Sequence, residues 1–158
     1  MKLEGSCQCG AVSFSLKSRT PYPYMRCYCS VCRKTDGGGG YAINLMGEVD
    51  SLQVRDQAGA KNAYHALIDG KESVAERHFC SRCGTSLWLW DPRWPDLIHP
   101  LASAIDTPLP QPPETVHIML EYKPSWVEVP EGPGHIHFQR YPELSIEDWH
   151  KSHGLYET

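Results

Sequence analysis

The sequence predicts a mainly β protein that ends in one short helix. Thirteen glycines and thirteen prolines are spread through its 158 residues, and this composition favours short segments joined by many turns. Apolar residues rarely recur at helical spacing, whereas several segments alternate apolar and polar residues with the period of a half-buried strand. A chain of this length is expected to form a single domain, covering residues 1–158.

The strand candidates follow one another along the first 130 residues or so. Residues 11–16, with the sequence AVSFSL, alternate apolar and polar side chains and give the clearest example. The other candidates are short and rich in aromatic or β-branched residues, and they cover residues 41–46, 76–79, 86–90, 97–104 and 116–120. Residues 126–129 are a further candidate.

The connections and the helix have signals of their own. Four consecutive glycines at residues 37–40 predict a flexible or tightly turning connection. The proline-rich residues 108–113 cannot join the interior of a sheet, so we expect them to cross the surface. Ser145, followed by Asp148, predicts the start of a short helix that runs to about His153 and stops at Gly154.

Charge and hydropathy exclude several classes of partner. With a net charge of −4 the chain lacks the excess of Lys and Arg that neutralises phosphates, so nucleic acid is not an expected partner. The first residues, MKLEGS, lack the apolar stretch of a secretory signal, and no later run is long enough to span a bilayer. We therefore expect a cytoplasmic location and no membrane partner. The oligomeric state is left open.

All seven cysteines fall into three tight clusters, spaced CxC, CxCxxC and CxxC. In a reducing compartment such clusters indicate metal binding or catalysis, and an odd count would leave one thiol outside any set of disulfides. A tetrahedral zinc with Zn–S distances of ~2.3 Å needs neighbouring sulfurs about 3.8 Å apart, which these spacings allow. The first and last clusters together supply four thiolates for a structural zinc, namely Cys7, Cys9, Cys80 and Cys83.

The middle cluster supplies three sulfurs, from Cys27, Cys29 and Cys32, and no cysteine remains to make a fourth. Three protein ligands with a fourth position for water or substrate form the catalytic arrangement of zinc. Thiolate ligation favours a sulfur-bearing substrate, whose thiol would bind as the thiolate and attack an electrophilic carbon. In the reverse direction the same site would help a thiolate to leave, so that a carbon–sulfur bond breaks.

Other interpretations of the middle cluster stay open on the sequence alone. One of the eight histidines, for example His78, could close the site, and the protein would then be a zinc-stabilised binding module without catalytic activity. The cluster could instead share its ligands between both ions. Iron–sulfur ligation by the same sulfurs is a further alternative, although the usual spacings are missing.

The three clusters and their neighbours resemble the glutathione-dependent formaldehyde-activating enzyme family, which also contains the centromere protein V type of domain. The resemblance covers about residues 3–130, and residues 131–158 form a C-terminal extension. It rests on the motifs CQCGAV from Cys7, CYCSVCRK from Cys27 and FCSRCGT from Phe79. Later elements are ASAID at residues 102–106 and PETVHI at residues 113–118, followed by Trp126.

The resemblance implies a domain of small curled antiparallel sheets, related to zinc ribbons. It implies two zinc ions per chain, a structural one at the four outer cysteines and a catalytic one at the middle cluster. The implied activity joins glutathione to formaldehyde, giving S-(hydroxymethyl)glutathione, and is classed as a carbon–sulfur lyase in the cleavage direction. A chromatin role like that of the centromere-linked relatives is disfavoured by the acidic balance of the chain.

Two departures from the family pattern lie beside the middle cluster and bear on the identity of the substrate. Tyr28 stands where the family often has a histidine, and the four glycines at residues 37–40 are more extreme than the usual small-residue loop.

Several residues are candidates for substrate binding and proton transfer. A substrate such as glutathione carries two carboxylates, so its pocket needs cationic partners. The cations that flank the middle cluster in sequence are Arg26, Arg33 and Lys34, and ordinary exposed charges explain them equally well. Asp106 and His117 are candidates for carrying the proton that the new alkoxide takes up. His135 and His137 would share a strand face, where a solvated pair is favoured over a third metal site.

Overall fold

Within residues 1–155, which the computed structural model describes apart from the side chain of Glu147, the chain forms fourteen short strands and two short α-helices. The mainly β class is confirmed. The strands are β1 (Lys2–Ser6), β2 (Ser13–Lys17), β3 (Tyr24–Cys27), β4 (Ala42–Asn44), β5 (Gly47–Glu48), β6 (Gln53–Arg55), β7 (Lys61–Tyr64), β8 (Leu67–Ile68), β9 (Lys71–Glu72), β10 (Glu76–Cys80), β11 (Ser86–Trp90), β12 (Leu97–Pro100), β13 (Thr115–Ile118) and β14 (His135–His137). The helices are α1 (Ser30–Thr35) and α2 (Ile146–Ser152).

β1, β2 and β6 form an antiparallel sheet with an apolar inner face. The alternation in the sequence buries Phe14 and Leu16 of β2 against the core. Gly5 is required opposite Phe14, because a Cβ at this position would lie 2.5 Å from the Phe14 ring. The strand begins two residues later than predicted, because the carbonyl of Val12 closes the preceding turn.

β5, β12, β11, β10 and β7 form a five-stranded antiparallel sheet. Its strand β11 buries Leu87 and Trp88, and the Trp88 ring meets Phe14 of the first sheet in an edge-on contact with centroids 5.0 Å apart. The two sheets therefore share one core. β10 carries both Arg77 and Cys80, the first cysteine of the CxxC cluster.

β14, β13, β3 and β4 form a mixed sheet, in which β3, β13 and β14 run parallel and β4 is antiparallel to β3. The expectation of antiparallel sheets holds for the other sheets but not for this one. Parallel neighbours need a long crossover, and residues 28–114 supply it, because they contain strands β4 to β12. Side-chain alternation does not record strand direction, so the pattern in the sequence could not reveal the parallel pairing.

The helix prediction near the C-terminal end is confirmed, but it is incomplete. The Ser145 hydroxyl accepts from the N–H of Asp148 at 3.0 Å at the start of α2, and Gly154 lies just beyond its end with a left-handed φ of 66°. The prediction of a single helix is wrong, since α1 is also present. Its six residues are too few to display a helical period in the sequence.

Two strand predictions need correction, and one loop prediction is confirmed. Residues 126–129 form no strand in the described structure, because the N–H of Val127 closes a turn on the carbonyl of Pro124. The predicted strand at residues 97–104 ends at Pro100, and Ala102–Ala104 form a 3₁₀ turn. Residues 37–40 do form a tight turn.

Among residues 1–155 no helix has the length and apolar character needed to cross a bilayer.

Candidate metal centres

The four-cysteine centre gathers the sulfurs of Cys7, Cys9, Cys80 and Cys83. All four sulfurs lie within 4.8 Å of one another. Two of the separations, Cys7–Cys9 and Cys9–Cys80, are 3.6 and 3.8 Å. These are the sulfur–sulfur distances expected around a tetrahedral metal with metal–sulfur bonds of about 2.3 Å. All seven cysteines of the chain are free thiols, so none is committed to a disulfide.

Two turns of similar design shape the four-cysteine centre. A glycine follows the second cysteine of each pair, and both glycines, Gly10 and Gly84, adopt a left-handed φ of 79° and 78°. In each turn the glycine N–H donates to the carbonyl of the first cysteine, at 3.1 and 2.7 Å. The N–H of Val12 also donates to the sulfur of Cys7 at 3.2 Å, a contact that favours the thiolate.

The Thr85 side chain joins these two turns. Its hydroxyl lies 3.2 Å from the Cys83 sulfur and accepts from the N–H of Gln8 at 3.0 Å. The same hydroxyl is the main reason that the pKa of the Cys83 thiol falls to about 5. The four-cysteine centre therefore ties the β1–β2 connection to the β10–β11 connection.

The three-cysteine centre is built where β3 ends and α1 begins. Cys27 is the last residue of β3, Cys29 is the N-cap of α1, and Cys32 lies in the helix. Their sulfurs lie within 4.8 Å of one another, and no histidine or carboxylate among the described side chains joins them at that distance. Closure by a histidine is therefore not supported, and the candidate His78 instead stacks on Trp88. Since each centre has its own sulfurs, sharing of ligands is not supported either.

The crowded sulfurs of the three-cysteine centre hold their protons unequally. Hydrogen bonds from the other two sulfurs, followed by backbone N–H groups at the start of α1, lower the pKa of the Cys29 thiol to about 2. The sulfurs of Cys29 and Cys32, together with burial, raise the pKa of the Cys27 thiol. Cys29 is therefore the thiol that ionises first, and a metal cation would displace the remaining protons.

Both donor sets fit zinc. Thiolates are soft ligands that select zinc among the common divalent ions, and the sulfur spacing matches tetrahedral coordination. Four thiolates complete the coordination of the ion, whereas three thiolates bind it with one position left for an outside donor.

A buried ion pair borders the three-cysteine centre. Arg77 of β10 donates to Asp36 Oδ2 at 2.7 Å through Nη1, and its Nη2 lies 3.6 Å from the Cys32 sulfur. The sequence gives no signal for this pair, because Arg77 and Asp36 are 41 residues apart and belong to different elements.

Strand alternation sorts the residues around Cys27 onto two faces of the mixed sheet. Cys27 is paired with Ile118 of β13, and both face the core. Arg26 is paired with His117, and their side chains project from the opposite face. Arg26 therefore flanks the three-cysteine centre in sequence but is turned away from Cys27, with its guanidinium 4.7 Å from the centre of the Tyr41 ring.

A buried hydrogen-bonded chain lies on that opposite face. The Tyr28 hydroxyl is 2.8 Å from His117 Nδ1, and His117 Nε2 is 3.0 Å from His135 Nδ1. Burial, with smaller contributions from Arg26 and the neighbouring histidines, lowers the pKa of His117 to about 4, so the imidazole is neutral at pH 7. His135 and His137 share a strand face as expected, but His135 is half-buried and bonded to His117 rather than simply solvated.

The other predicted site residues are placed as follows. Arg33 and Lys34 lie in α1 beside Cys32, and neither forms an ion pair within the described part of the chain. Asp106 accepts a hydrogen bond from Ser6 at 2.6 Å, next to the four-cysteine centre, so the fold does not bring it to the three-cysteine centre.

Comparison with known proteins places this chain among related sequences. The sequence model of the family described as glutathione-dependent formaldehyde-activating enzyme matches residues 2–121, which include all seven cysteines. A Halomonas elongata protein with the provisional name glutathione-dependent formaldehyde-activating enzyme is 59% identical over 157 residues, covering 99% of each chain. The crystal structure of a Rhodobacter sphaeroides protein matches with a TM-score of 0.54 and 24% identity, covering 68% of this chain and 91% of that one. The last likeness concerns the fold alone.

Proposed function

Because the chain belongs to the glutathione-dependent formaldehyde-activating enzyme family, we propose that it joins the thiol of glutathione to formaldehyde or reverses that addition. In the forward direction the sulfur forms a bond to the carbonyl carbon, and the carbonyl oxygen takes up the proton that the thiol releases. The product is S-(hydroxymethyl)glutathione, and no oxidant or reductant is needed. Cleavage of the same bond makes the protein a carbon–sulfur lyase.

The observation that carries this proposal is the number of sulfurs at the three-cysteine centre. Cys27, Cys29 and Cys32 supply one donor fewer than the four-cysteine centre, and no other ligand side chain of residues 1–155 joins them. When bound there, zinc would accept the substrate sulfur and favour its thiolate form. Thiolate surroundings suit a sulfur donor, so a thiol such as glutathione is the substrate class that the centre fits.

The residues of the chain supply the binding and orientation. α1 starts at the three-cysteine centre, and its last turn carries two positive charges, Arg33 and Lys34. We assign Arg33 and Lys34 to the carboxylates of glutathione, because neither is neutralised by an acidic side chain among the described residues. Arg26 is not assigned to the substrate, because it projects from the opposite face of the sheet.

The test must separate catalysis from the spontaneous reaction of thiols with formaldehyde. Two-dimensional exchange NMR of a glutathione–formaldehyde mixture at equilibrium measures the rate of interconversion directly. The zinc-loaded protein is expected to speed the exchange in proportion to its concentration. Cys29→Ser, which keeps the four-cysteine centre and one zinc per chain, is expected to leave the uncatalysed rate.

Two outcomes would contradict the proposal. If Cys29→Ser accelerated the exchange as well as the natural protein, the three-cysteine centre would not be the reactive one. If the natural protein with two zincs left the exchange unchanged, the alternative of a zinc-stabilised binding module without catalytic activity would be favoured.

A further inference from the structure

The Arg77–Asp36 pair brings a charged side chain, Arg77, against a sulfur of the three-cysteine centre. The sequence does not reveal this contact. Arg77 Nη1 donates to Asp36 Oδ2 at 2.7 Å, while Nη2 points to the Cys32 sulfur at 3.6 Å. Both side chains are buried, with 15% of Arg77 and 3% of Asp36 exposed. A buried ion pair is costly to form, so its position against a metal ligand needs an explanation.

The fold holds this pair from both ends. Asp36 follows α1 directly, and its backbone N–H donates to the carbonyl of Cys32 at 2.9 Å. Arg77 lies in the middle of the sheet, between Tyr64 of β7 and Leu89 of β11. The carboxylate therefore orients the guanidinium, and its second nitrogen is directed at the sulfur.

Arg77 remains charged in this setting. A guanidinium keeps its proton in proteins, and here it lies between the Asp36 carboxylate and the Cys32 sulfur. The charges of Arg77 and Asp36 cancel at a distance. Their combined effect at the centre is that of an oriented N–H donor whose positive end faces one sulfur.

We propose that Arg77 is a positioning residue that acts through Cys32, withdrawing electron density from this sulfur and fixing it for metal binding. The inference rests on the proposed function, because it concerns the metal centre assigned to glutathione. A hydrogen bond to a thiolate lowers the energy of the sulfur lone pairs, so the sulfur donates less to its metal. Cys32 is thereby made a weaker nucleophile than the substrate sulfur, and a metal held by the three cysteines would be more open to an incoming thiolate.

The pair also joins the two centres through one strand. β10 carries Arg77 against the three-cysteine centre and Cys80 into the four-cysteine centre, three residues away. One strand therefore contributes a residue to the surroundings of each centre.

The experiment replaces zinc by cobalt, whose thiolate charge-transfer band in the near ultraviolet reports the electron density on the sulfurs. In Arg77→Met the band is expected to move to longer wavelength, because the sulfur lone pairs rise in energy when the donor is lost. Metal affinity at the three-cysteine centre, measured by chelator competition, is expected to fall roughly tenfold to a hundredfold, because the Cys32 sulfur is no longer held in place and this loss outweighs its stronger donation to the metal. Arg77→Lys keeps a charged donor and is expected to restore part of both properties.

The matched control is Ser86→Ala. The Ser86 hydroxyl donates to the carbonyl of Thr35 at 3.1 Å, so it anchors the same end of α1 to β11 without a hydrogen bond to a sulfur. This variant is expected to keep the natural band position even if its stability falls.

Loss of Arg77 leaves Asp36 buried without its partner, so the double variant Arg77→Met with Asp36→Asn is measured alongside. A shifted band in either folded variant, or in Arg77→Lys if neither folds, supports the proposal. An unshifted band together with unchanged metal affinity overturns it and leaves Arg77 a purely structural residue. Neither readout involves glutathione or formaldehyde, so failure here is distinguishable from failure of the proposed enzymatic activity.

Discussion

The two cysteine centres use the same ligand chemistry in opposite settings. In the four-cysteine centre, ligands such as Cys9 and Cys80 are 71 residues apart in sequence, and a metal there closes a long loop and joins two sheets. In the three-cysteine centre all ligands lie between Cys27 and Cys32, so a metal there closes almost no loop. From this difference in separation we expect a metal at the four-cysteine centre to contribute folding free energy, and a metal at the three-cysteine centre to contribute the chemistry of the proposed function.

The groups that surround the sulfurs also differ between the two centres. The four-cysteine centre is lined by backbone N–H groups and the Thr85 hydroxyl, and two of its cysteines are exposed at the surface. The three-cysteine centre has two buried cysteines, a helix start and the charged side chain of Arg77. A structural centre needs only its four ligands, whereas a reactive centre needs groups that control the charge on its sulfurs.

The largest effect is expected from Cys80→Ser. Cys80 is fully buried and links β10 to the β1–β2 connection, so loss of its sulfur removes the metal that joins the two sheets. Structural zinc contributes on the order of 10 kcal/mol in small domains, which is comparable with the whole stability of a typical domain. We therefore expect no cooperative thermal unfolding transition by circular dichroism. A folded Cys80→Ser protein with a transition near that of the natural chain would remove the distinction between the two centres.

A smaller effect is expected when zinc is removed with a series of chelators of increasing affinity. The three-cysteine centre is expected to release its zinc first, with an affinity lower by roughly tenfold or more, because three thiolates hold the ion less firmly than four. Zinc release followed with a colorimetric indicator should show two phases, and the melting temperature should fall mainly in the second. In Cys29→Ser the first phase should be missing. Release of both ions in one phase would contradict the comparison.

The grouping of the cysteines into two sets could be predicted from the sequence, because cysteine spacing records local geometry, whereas their binding of metal stays a prediction. The CxC and CxxC spacings limit the sulfur positions whatever the rest of the fold does, and the grouping of Cys7 and Cys9 with Cys80 and Cys83 followed from ligand counts. The strands at residues 13–17 and 86–90 were predictable for the same reason, since alternation is local.

Contacts between distant elements were not predictable. Arg77 and Asp36 are 41 residues apart, and Tyr28 and His117 are 89 residues apart, so nothing in their own neighbourhoods indicates that they meet. The prediction that Arg26 binds the substrate is not retained in the proposed function, for a related reason. Proximity in sequence to Cys27 does not say which face of the strand a side chain takes, and consecutive residues take opposite faces.

Arg33→Gln tests whether the charges of α1 bind the carboxylates of glutathione. Loss of a charge-assisted hydrogen bond to a carboxylate costs about 1.5 kcal/mol or more, so the KM for glutathione is expected to rise roughly tenfold with little change in kcat. Lys34→Gln should act in the same direction but more weakly, because Lys34 is exposed. Arg26→Gln is the control on the opposite face and should leave KM unchanged. Equal effects of Arg26→Gln and Arg33→Gln would show that the face assignment is wrong.

The last effect is absent at neutral pH and concerns the buried histidine behind the three-cysteine centre. The pKa of His117 is about 4 in the folded protein, below its ordinary value of 6.5, chiefly because of burial. Between these values the unfolded chain binds a proton that the folded chain does not, so stability falls as pH drops from 6.5 to 4 and is unaffected above 6.5. The loss is on the order of 3 kcal/mol. His117→Gln should flatten the pH dependence of urea unfolding by that amount, and comparison with the natural protein cancels the contribution of the cysteine thiolates. Parallel curves for the two proteins would mean that His117 is already accessible to protons, and that the face behind Cys27 is open rather than sealed.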